Sequence, residues 1–202
     1  MTKPVIAVDI DDVLAGTTEL LRVFINERSG SSLTKEDYLV EGDYWGYYGR
    51  VWESHGIGGR ELFEEFAQEL IRDQAHVPLL PGAHFAMYEL SKRFHVIMIT
   101  SRKDTWEPAT RKWFRDHFSK DDIELYFTGH HQADDFKSKG EICKELNVEL
   151  LIDDNYDHCK SAVDLGIKAI LFGSYGWTKQ GEHNIPNCKD WPAVLEYIDN
   201  AA

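Results

Sequence analysis

The sequence predicts an α/β fold in which helices pack on both faces of a doubly wound parallel sheet, with a small helical insertion after the first strand. Two observations support this. Short, continuous apolar runs rich in branched and aromatic residues are typical of strands that are buried on both faces. Helix-like stretches separate these runs, and a strand, a helix and a parallel strand in succession form a right-handed crossover.

Five apolar runs predict the strands of this sheet. They cover residues 5–9, 94–101, 123–129, 148–154 and 167–173. Helices are expected between them. One begins near Pro81, which suits a first helical turn, one carries Trp106, Thr110 and Trp113 at helical spacing, and one ends at Gly166.

Residues 16–78 contain no comparable run and predict a helical insertion over the sheet, so that residues 1–15 and 79–202 form the α/β core. Thr34 is expected to cap a short helix within this insertion. Two apolar stripes at helical spacing support the insertion, namely Leu20, Leu21, Phe24 and Ile25 before Gly30, and Leu62, Phe63, Phe66 and Leu70.

Composition limits the classes of partner. The 202-residue chain has 22 Lys and Arg against 35 Asp and Glu, and its formal net charge of −13 disfavours a nucleic-acid polymer. No segment approaches the roughly 18 uninterrupted apolar residues of a membrane helix, so no membrane partner is expected. The start of the chain lacks the pattern of a secretory signal, which makes the cytoplasm the expected location. The oligomeric state is left open, with a homodimer as one option.

Acidic residues follow the first and fourth predicted strands. The stretch "PVIAVDIDDVLAG" runs straight into Asp9, Asp11 and Asp12, and "LLIDD" ends in Asp153 and Asp154. Ligands bind beyond the carboxyl ends of strands in open α/β sheets, so these acids converge if the two strands are neighbours. Crowded carboxylates need a cation, and oxygen ligands of this kind suit Mg²⁺ bound together with a substrate phosphate. Asp12 is assigned to the scaffold.

Three further residues indicate that the ligand is a phosphate. Thr100 and Ser101 end the second strand, just before Arg102, and offer hydroxyl and backbone donors. Lys139 opens the helix before the fourth strand, where a cation opposes the helix dipole unless an anion lies beside it. Lys137 is the alternative to Lys139 for this role.

These features occur in a recognisable order. "DIDDV", a hydrophobic strand ending in "TS", a lysine before a short helix and "LLIDD" resemble the four motifs of the haloacid dehalogenase superfamily of phosphatases, over nearly the whole chain. The helical insertion after the first motif, "PLLPGA", "KGEICKELNVELLIDDN" and "AILFGSYGW" most resemble the 5'(3')-deoxyribonucleotidase group and its bacterial relatives. The resemblance implies a Rossmann-like core of this superfamily, with the insertion as a cap that sets substrate specificity.

The resemblance also implies the roles of individual residues. It makes Asp9 the nucleophile that forms an aspartyl-phosphate, and Asp11 the acid and then the base. It implies a Mg²⁺ site of Asp9, Asp11 through its backbone carbonyl, Asp153 and Asp154, and it assigns the phosphoryl group to Thr100, Ser101 and Lys139. These roles suit the chemistry, because a carboxylate attacks phosphorus only if cations neutralise the phosphoryl oxygens, and the leaving alkoxide needs a proton.

An aromatic segment of the insertion, "EGDYWGYYGRVW", is the candidate for substrate recognition. Trp45, Tyr47 and Tyr48 are candidates for stacking on a nucleobase, an interaction of about 1–3 kcal/mol per base. The alternative is that these rings form the hydrophobic core of the insertion.

The predicted function is Mg²⁺-dependent hydrolysis of a small phosphate ester, with a nucleoside monophosphate as the substrate. A different small phosphomonoester, such as a sugar phosphate, remains an alternative, and a nucleic-acid 3'-phosphate is disfavoured by the net charge. A signalling receiver domain also combines acids, a hydroxyl residue and a lysine. It needs its phosphorylated aspartate at the end of a third strand before the hydroxyl residue, where this chain has the insertion.

Overall fold

The computed structural model describes residues 2–119, 122–128, 136–179 and 183–200, and its centre is a six-stranded parallel sheet. The strands are β1 (Val5–Val8), β2 (His95–Thr100), β3 (Leu125–Phe127), β4 (Val148–Asp153), β5 (Lys168–Phe172) and β6 (Asn187–Cys188). Their order in the sheet is β3-β2-β1-β4-β5-β6, and each neighbouring pair is parallel. This confirms the predicted α/β fold, and the order differs from that of receiver-type sheets.

The helices alternate with these strands as the sequence indicates. They are α1 (Thr17–Ser29), α2 (Tyr47–Ser54), α3 (Arg60–Arg72), α4 (Ala83–Arg93), α5 (Glu107–Phe118), α6 (Lys139–Glu145), α7 (Tyr156–Val163) and α8 (Trp191–Asn200). Short 3₁₀ helices cover Glu36–Tyr38, Asp104–Trp106 and Gly176–Lys179. Within the described parts of the chain, no helix has both the length and the apolar character needed to cross a membrane.

All five predicted strands occur, each somewhat shorter than its apolar run. The last residue of the third run, Gly129, lies outside the described residues. The sequence did not predict β6, because an edge strand of two residues leaves no periodic pattern to detect.

β1 is the central strand and is buried on both faces. Ile6, Ala7 and Val8 have no exposed surface, and alternate residues pack into hydrophobic clusters on opposite sides of the sheet. This explains why the run is continuously apolar. Val8 pairs with Met98 of β2 and with Ile152 of β4, so the carboxyl ends of these three strands meet.

The chain leaves the core and returns to it at neighbouring points. Ala15 and Leu79 form an isolated antiparallel bridge. Residues 16–78, which the structure describes in full, contain α1, α2, α3 and a 3₁₀ helix but no strand. The division into residues 1–15 and 79–202 against 16–78 remains a prediction, and this paired crossing supports its boundaries.

Local contacts set the ends of α1. Asp12 has a φ of 57° and its carboxylate accepts the backbone N–H of Thr18 (3.0 Å), so the turn after β1 also caps this helix. Gly30 ends α1 with a φ of 70°.

The prediction that Thr34 caps the next helix is wrong. Its N–H and hydroxyl instead donate to the Asp37 carboxylate (2.7 and 3.0 Å), which is a stronger acceptor than a hydroxyl.

Candidate active site

The carboxyl ends of β1 and β4 bring three buried acids together. Asp9 directly follows β1, and its N–H donates to the carbonyl of Ile152 in β4 (2.9 Å). Asp153 ends β4, and Asp154 follows it. One carboxylate oxygen from each of Asp9, Asp153 and Asp154 lies within 4.8 Å of the others. The two acidic motifs therefore form one site.

Lys139 lies between two of these acids. Its Nζ is 2.6 Å from Asp9 Oδ1 and 2.6 Å from Asp153 Oδ2, and its side chain is fully buried. The contact with Asp153 is a hydrogen bond, whereas the contact with Asp9 is an ion pair without hydrogen-bond geometry. An ammonium group buried between two carboxylates offsets their mutual repulsion.

A capping box fixes Lys139 in the first turn of α6. Ser138 Oγ accepts the N–H of Glu141, and the Glu141 carboxylate accepts the N–H of Ser138 (2.8 Å). The ammonium of Lys137 lies 2.7 Å from both carboxylate oxygens of Glu145, and its side chain is half exposed. Of the two predicted alternatives, Lys139 is the one that contacts the acids.

Burial and neighbouring charges shift the pKa values of these groups in different directions. Burial raises the pKa of Asp9 to about 7, against the lowering effect of Lys139. Burial also acts on Asp153, but Lys139 and His158 outweigh it and lower the pKa to about 2. The pKa of Asp154 rises well above its usual value because of burial and then because of the charge of Asp153. The site therefore holds more acidic charge than one ammonium group stabilises.

The donor set fits a Mg²⁺ ion. Asp9, Asp153 and Asp154 each offer a buried carboxylate oxygen, and these atoms lie close enough to share one ion. Hard oxygen donors with a net negative charge are the ligands that Mg²⁺ prefers. The Asp11 carboxylate is not part of this group among the described residues, and its contribution through the backbone carbonyl stays a prediction.

Asp11 faces the same cavity but pairs with a different cation. Arg102 Nε donates to Asp11 Oδ2 (2.8 Å), Arg102 Nη2 donates to Oδ1 (2.8 Å), and the hydroxyl of Thr17 also donates to Oδ1. Burial alone would raise the pKa of Asp11, but Arg102 outweighs it and holds the pKa below its usual value. The candidate nucleophile and the candidate acid and base thus have separate cations.

The two hydroxyl residues at the end of β2 have different surroundings. Thr100 is fully buried, and its Oγ1 accepts the N–H of Arg102 (3.1 Å). Ser101 lines the cavity, and its Oγ lies 3.5 Å from Nε2 of His158. Nδ1 of His158 is in turn 3.2 Å from Asp153 Oδ1. The structure therefore brings Ser101 to the cavity surface and keeps Thr100 beneath the backbone of the same turn.

These side chains surround a cavity of about 170 Å³. The core supplies its polar lining, including Asp9, Asp11, Asp154, Ser101, Arg102 and Lys139. α1 and α3 supply an apolar lining of Leu21, Phe63, Phe66, Ala67 and Leu70. A phosphate group fits the polar side, and the apolar side suits the remainder of an ester.

The three predicted aromatic residues separate in the structure. Tyr48 lines the cavity together with Tyr44. Trp45 and Tyr47 line a neighbouring cavity of about 820 Å³. Tyr47 is buried, and its ring centroid is 5.0 Å from that of Trp177. Tyr47 is therefore part of the hydrophobic core where the insertion packs against the sheet domain, which agrees with the alternative that these rings are core residues.

Several residues at the site were not predicted from the sequence. Trp177 Nε1 donates to Asp154 Oδ2 (2.7 Å), Gln74 Oε1 accepts from Arg102 Nη1 (2.7 Å), and His158 contacts Asp153. A cation directly after two strand-end hydroxyl residues is a usable signal for Arg102. Gln74 and Trp177 come from distant segments, and only the tertiary fold sets their approach.

Comparisons with known proteins agree with this fold. No family model matches the chain. A nucleotidase of Clostridium acetobutylicum is 23% identical over 139 residues, which are 69% of this chain and 67% of that protein. A conserved haloacid dehalogenase-like protein of unknown function from Agrobacterium tumefaciens matches with a TM-score of 0.67 and 14% identity, over 98% of this chain and 99% of that one. A haloacid dehalogenase hydrolase from Bacillus subtilis, bound to magnesium, matches with a TM-score of 0.61 and 13% identity, over 98% of this chain and 100% of that one.

The chain has the fold of haloacid dehalogenase-like hydrolases, as its motifs implied. At these identities the likeness establishes the fold, and the activity has to be argued from the site itself.

Proposed function

We propose that the chain is a Mg²⁺-dependent phosphomonoester hydrolase that works through an aspartyl-phosphate on Asp9. One observation supports this above the others. Asp9 shares the ammonium of Lys139 with Asp153, while Asp11 is held by its own cation, Arg102, and both acids line one cavity. Two carboxylates with different partners beside one cavity suit a nucleophile and a separate acid and base.

In the first step the Asp9 carboxylate attacks phosphorus, and the bond from phosphorus to the leaving oxygen breaks. Lys139 neutralises charge on the phosphoryl oxygens, and the Ser101 hydroxyl donates to them. Asp11 donates a proton to the leaving oxygen. Because Arg102 favours the ionised form of Asp11 in the free protein, this proton is taken up as the phosphate dianion enters and adds negative charge.

In the second step Asp11, now a carboxylate, takes a proton from the water that attacks phosphorus. The bond between phosphorus and Asp9 breaks, and inorganic phosphate leaves. Asp9, Asp153 and Asp154 would hold Mg²⁺, which supplies Lewis-acid stabilisation of charge on the phosphoryl oxygens when it is bound.

A nucleoside monophosphate is the proposed substrate. Tyr44, Tyr48 and Phe63 line both the 170 Å³ cavity and the aromatic cavity of about 820 Å³ beside it. A base that reaches past these rings from a bound phosphate has aromatic faces to stack on. The name of the Clostridium acetobutylicum relative agrees with this proposal. The insertion, residues 16–78, would then act as the specificity cap.

A second candidate substrate is a smaller phosphomonoester such as a sugar phosphate. The cavity that contains the acids has only about 170 Å³, below the roughly 300 Å³ at which pockets for larger organic ligands begin. Hydrolysis of a small ester needs no passage between the aromatic rings.

The experiment is phosphate release from a panel of nucleoside 5'- and 3'-monophosphates, sugar phosphates and p-nitrophenyl phosphate, with Mg²⁺ and with a chelator. Turnover that requires Mg²⁺ supports the proposed phosphatase activity, and a preference for nucleotides supports the proposed substrate. Equal rates on nucleotides and sugar phosphates would remove the nucleotidase reading alone.

Asp9→Asn tests whether Asp9 is the nucleophile. The variant keeps the shape of the side chain but loses the attacking carboxylate, so we expect turnover to fall by more than about 1000-fold. Asp116→Asn is the matched control, because this exposed acid of α5 pairs only with Lys112 among its described ion pairs. Near wild-type turnover by Asp9→Asn would end the assignment.

A further inference from the structure

Arg102 is buried beside the cavity, and its guanidinium has partners on several sides. Nε and Nη2 form two parallel hydrogen bonds to the Asp11 carboxylate, and Nη1 donates to Gln74 Oε1 (2.7 Å) and Thr110 Oγ1 (3.1 Å). Only 1% of its side chain is exposed. A paired contact of this kind fixes both the distance and the plane of a carboxylate.

Gln74 anchors this guanidinium from the insertion. Gln74 follows α3 and is buried, and its Nε2 donates to the carbonyl of Leu70 (3.1 Å) and to Thr110 Oγ1 (3.2 Å). Thr17, the first residue of α1, donates to Asp11 directly. The orientation of the Asp11 carboxylate therefore depends on contacts from both ends of the insertion.

We propose that Arg102 is a positioning residue for Asp11, held in place by Gln74, and that it aims the Asp11 carboxylate at the water that hydrolyses the aspartyl-phosphate. This inference rests on the proposed function. In this step the water oxygen bonds to phosphorus, a water proton passes to Asp11, and the bond between phosphorus and Asp9 breaks with its electron pair returning to Asp9. A lysine at this position keeps the charge but loses the planar fork that orients the carboxylate.

Slowing this second step has a kinetic signature that a general loss of structure lacks. p-Nitrophenolate leaves without needing a proton, so formation of the aspartyl-phosphate from p-nitrophenyl phosphate does not depend on Asp11. When only the second of two steps slows, kcat and KM fall together and kcat/KM stays constant. The aspartyl-phosphate accumulates, and the first turnover appears as a burst of p-nitrophenolate.

The test is steady-state and stopped-flow kinetics of Arg102→Lys with p-nitrophenyl phosphate and Mg²⁺. We expect kcat to fall about 100-fold, as for a catalytic group misplaced by about 1 Å, with KM falling in parallel and a burst of one p-nitrophenolate per enzyme. Gln74→Leu should change the same parameters in the same direction by a smaller factor, because it removes one contact of Arg102. Arg111→Lys is the matched control, a partly exposed arginine of α5 paired with Glu107, and should keep wild-type values.

Two results would overturn the inference. A lower kcat/KM with a raised KM would mean that Arg102 binds the phosphoryl group itself. Equal losses of kcat and kcat/KM without a burst would mean that the substitution only disturbs the fold. If Arg102→Lys does not fold by circular dichroism, the same criteria apply to Gln74→Leu. A wild-type protein that releases no p-nitrophenolate at all would instead remove the proposed function, and this inference with it.

Discussion

The cavity has two ends that differ in origin and in packing. The polar end consists of residues that follow strands of the central sheet together with Lys139 of α6, and short contacts such as the two 2.6 Å ion pairs of Lys139 hold it together. The apolar end consists of rings and aliphatic side chains from helices of the insertion. Phe63, which lines the apolar end, is 41% exposed, whereas Leu21, Phe66 and Leu70 at this end are buried, and Lys139 and Asp153 at the polar end have no exposed surface.

This difference divides the expected roles. Groups locked between buried strands provide a fixed geometry for one reaction, which is what phosphoryl transfer requires. An exposed side chain on an inserted helix, such as Phe63, is free to vary with the shape of the substrate. A change at the polar end should therefore affect every substrate alike, and a change at the apolar end should affect the preference among substrates.

Lys139→Met should have the largest effect. The variant keeps the length of the side chain but removes the charge that Asp9 and Asp153 share, so we expect kcat/KM to fall about 1000-fold on all phosphate esters. Lys137→Met loses the contact with Glu145, which is the only ion pair of Lys137 among the described residues, so it is the control and should keep wild-type activity. A loss confined to one class of substrate would contradict the division between the two ends.

Mg²⁺ should stabilise the polar end. An ion that binds only the folded state adds about 2.7 kcal/mol to the free energy of unfolding at 100 times its Kd. We expect Mg²⁺ to raise the Tm of the wild type and of Asp157→Asn, an exposed acid on α7, but not that of Asp154→Asn. An unchanged response in Asp154→Asn would show that the ion binds elsewhere.

Tyr48→Ala should affect recognition more than chemistry. Loss of one stacking partner, worth about 1–3 kcal/mol, corresponds to a decrease of roughly 10-fold in kcat/KM for nucleotides, with sugar phosphates unaffected. Phe85→Ala is the control, because it removes a ring of α4 that is 60% exposed and lines neither cavity, so it should leave both values unchanged. Equal losses on both substrate classes in Tyr48→Ala would assign this residue to the catalytic end.

The crowding of acids should also make stability depend on pH. Burial raises the pKa of Asp12 from 3.8 to about 7, so the folded state binds a proton more tightly than the unfolded chain. The stability from this proton is complete below about pH 4 and is lost as the pH rises toward 7. Asp153, with its lowered pKa of about 2, has the opposite sign and loses its contribution only below about pH 4.

The measurement is the Tm in chelator between about pH 5 and pH 8. The Tm of the wild type should fall across this range, and Asp12→Asn should reduce the slope because it has no proton to lose. The same slope in both proteins would mean that Asp12 is not protonated in the folded state.

The polar end could be predicted from the sequence because a parallel sheet turns strand ends into neighbours. Asp9 and Asp153 are far apart in the chain, but each follows a continuous apolar run, and these runs form adjacent strands. Lys139 was one of two candidates, because it opens a helix that leads into β4, and only the structure separates it from Lys137. Local pattern and sheet topology were sufficient to bring Asp9 and Asp153 together.

The apolar end could not be predicted in the same way. Tyr47 and Tyr48 are adjacent in α2, yet one packs against Trp177 and the other lines the cavity. Their directions depend on how the insertion meets the core at Gly176, where a Cβ would lie 2.1 Å from the Tyr47 hydroxyl. The contact between Arg102 and Gln74 could not be predicted for a similar reason, because Gln74 reaches Arg102 only after the insertion has folded over the sheet.

Chemical trapping tests most directly whether an aspartyl-phosphate forms on Asp9. The enzyme is quenched during turnover of p-nitrophenyl phosphate with Mg²⁺, reduced with borohydride, digested and sequenced by mass spectrometry. An acyl phosphate on Asp9 is reduced to homoserine at that position, and this is the result we expect, with no conversion in Asp9→Asn. Rapid turnover with Asp9 unmodified, or with another acid reduced in its place, would contradict the account.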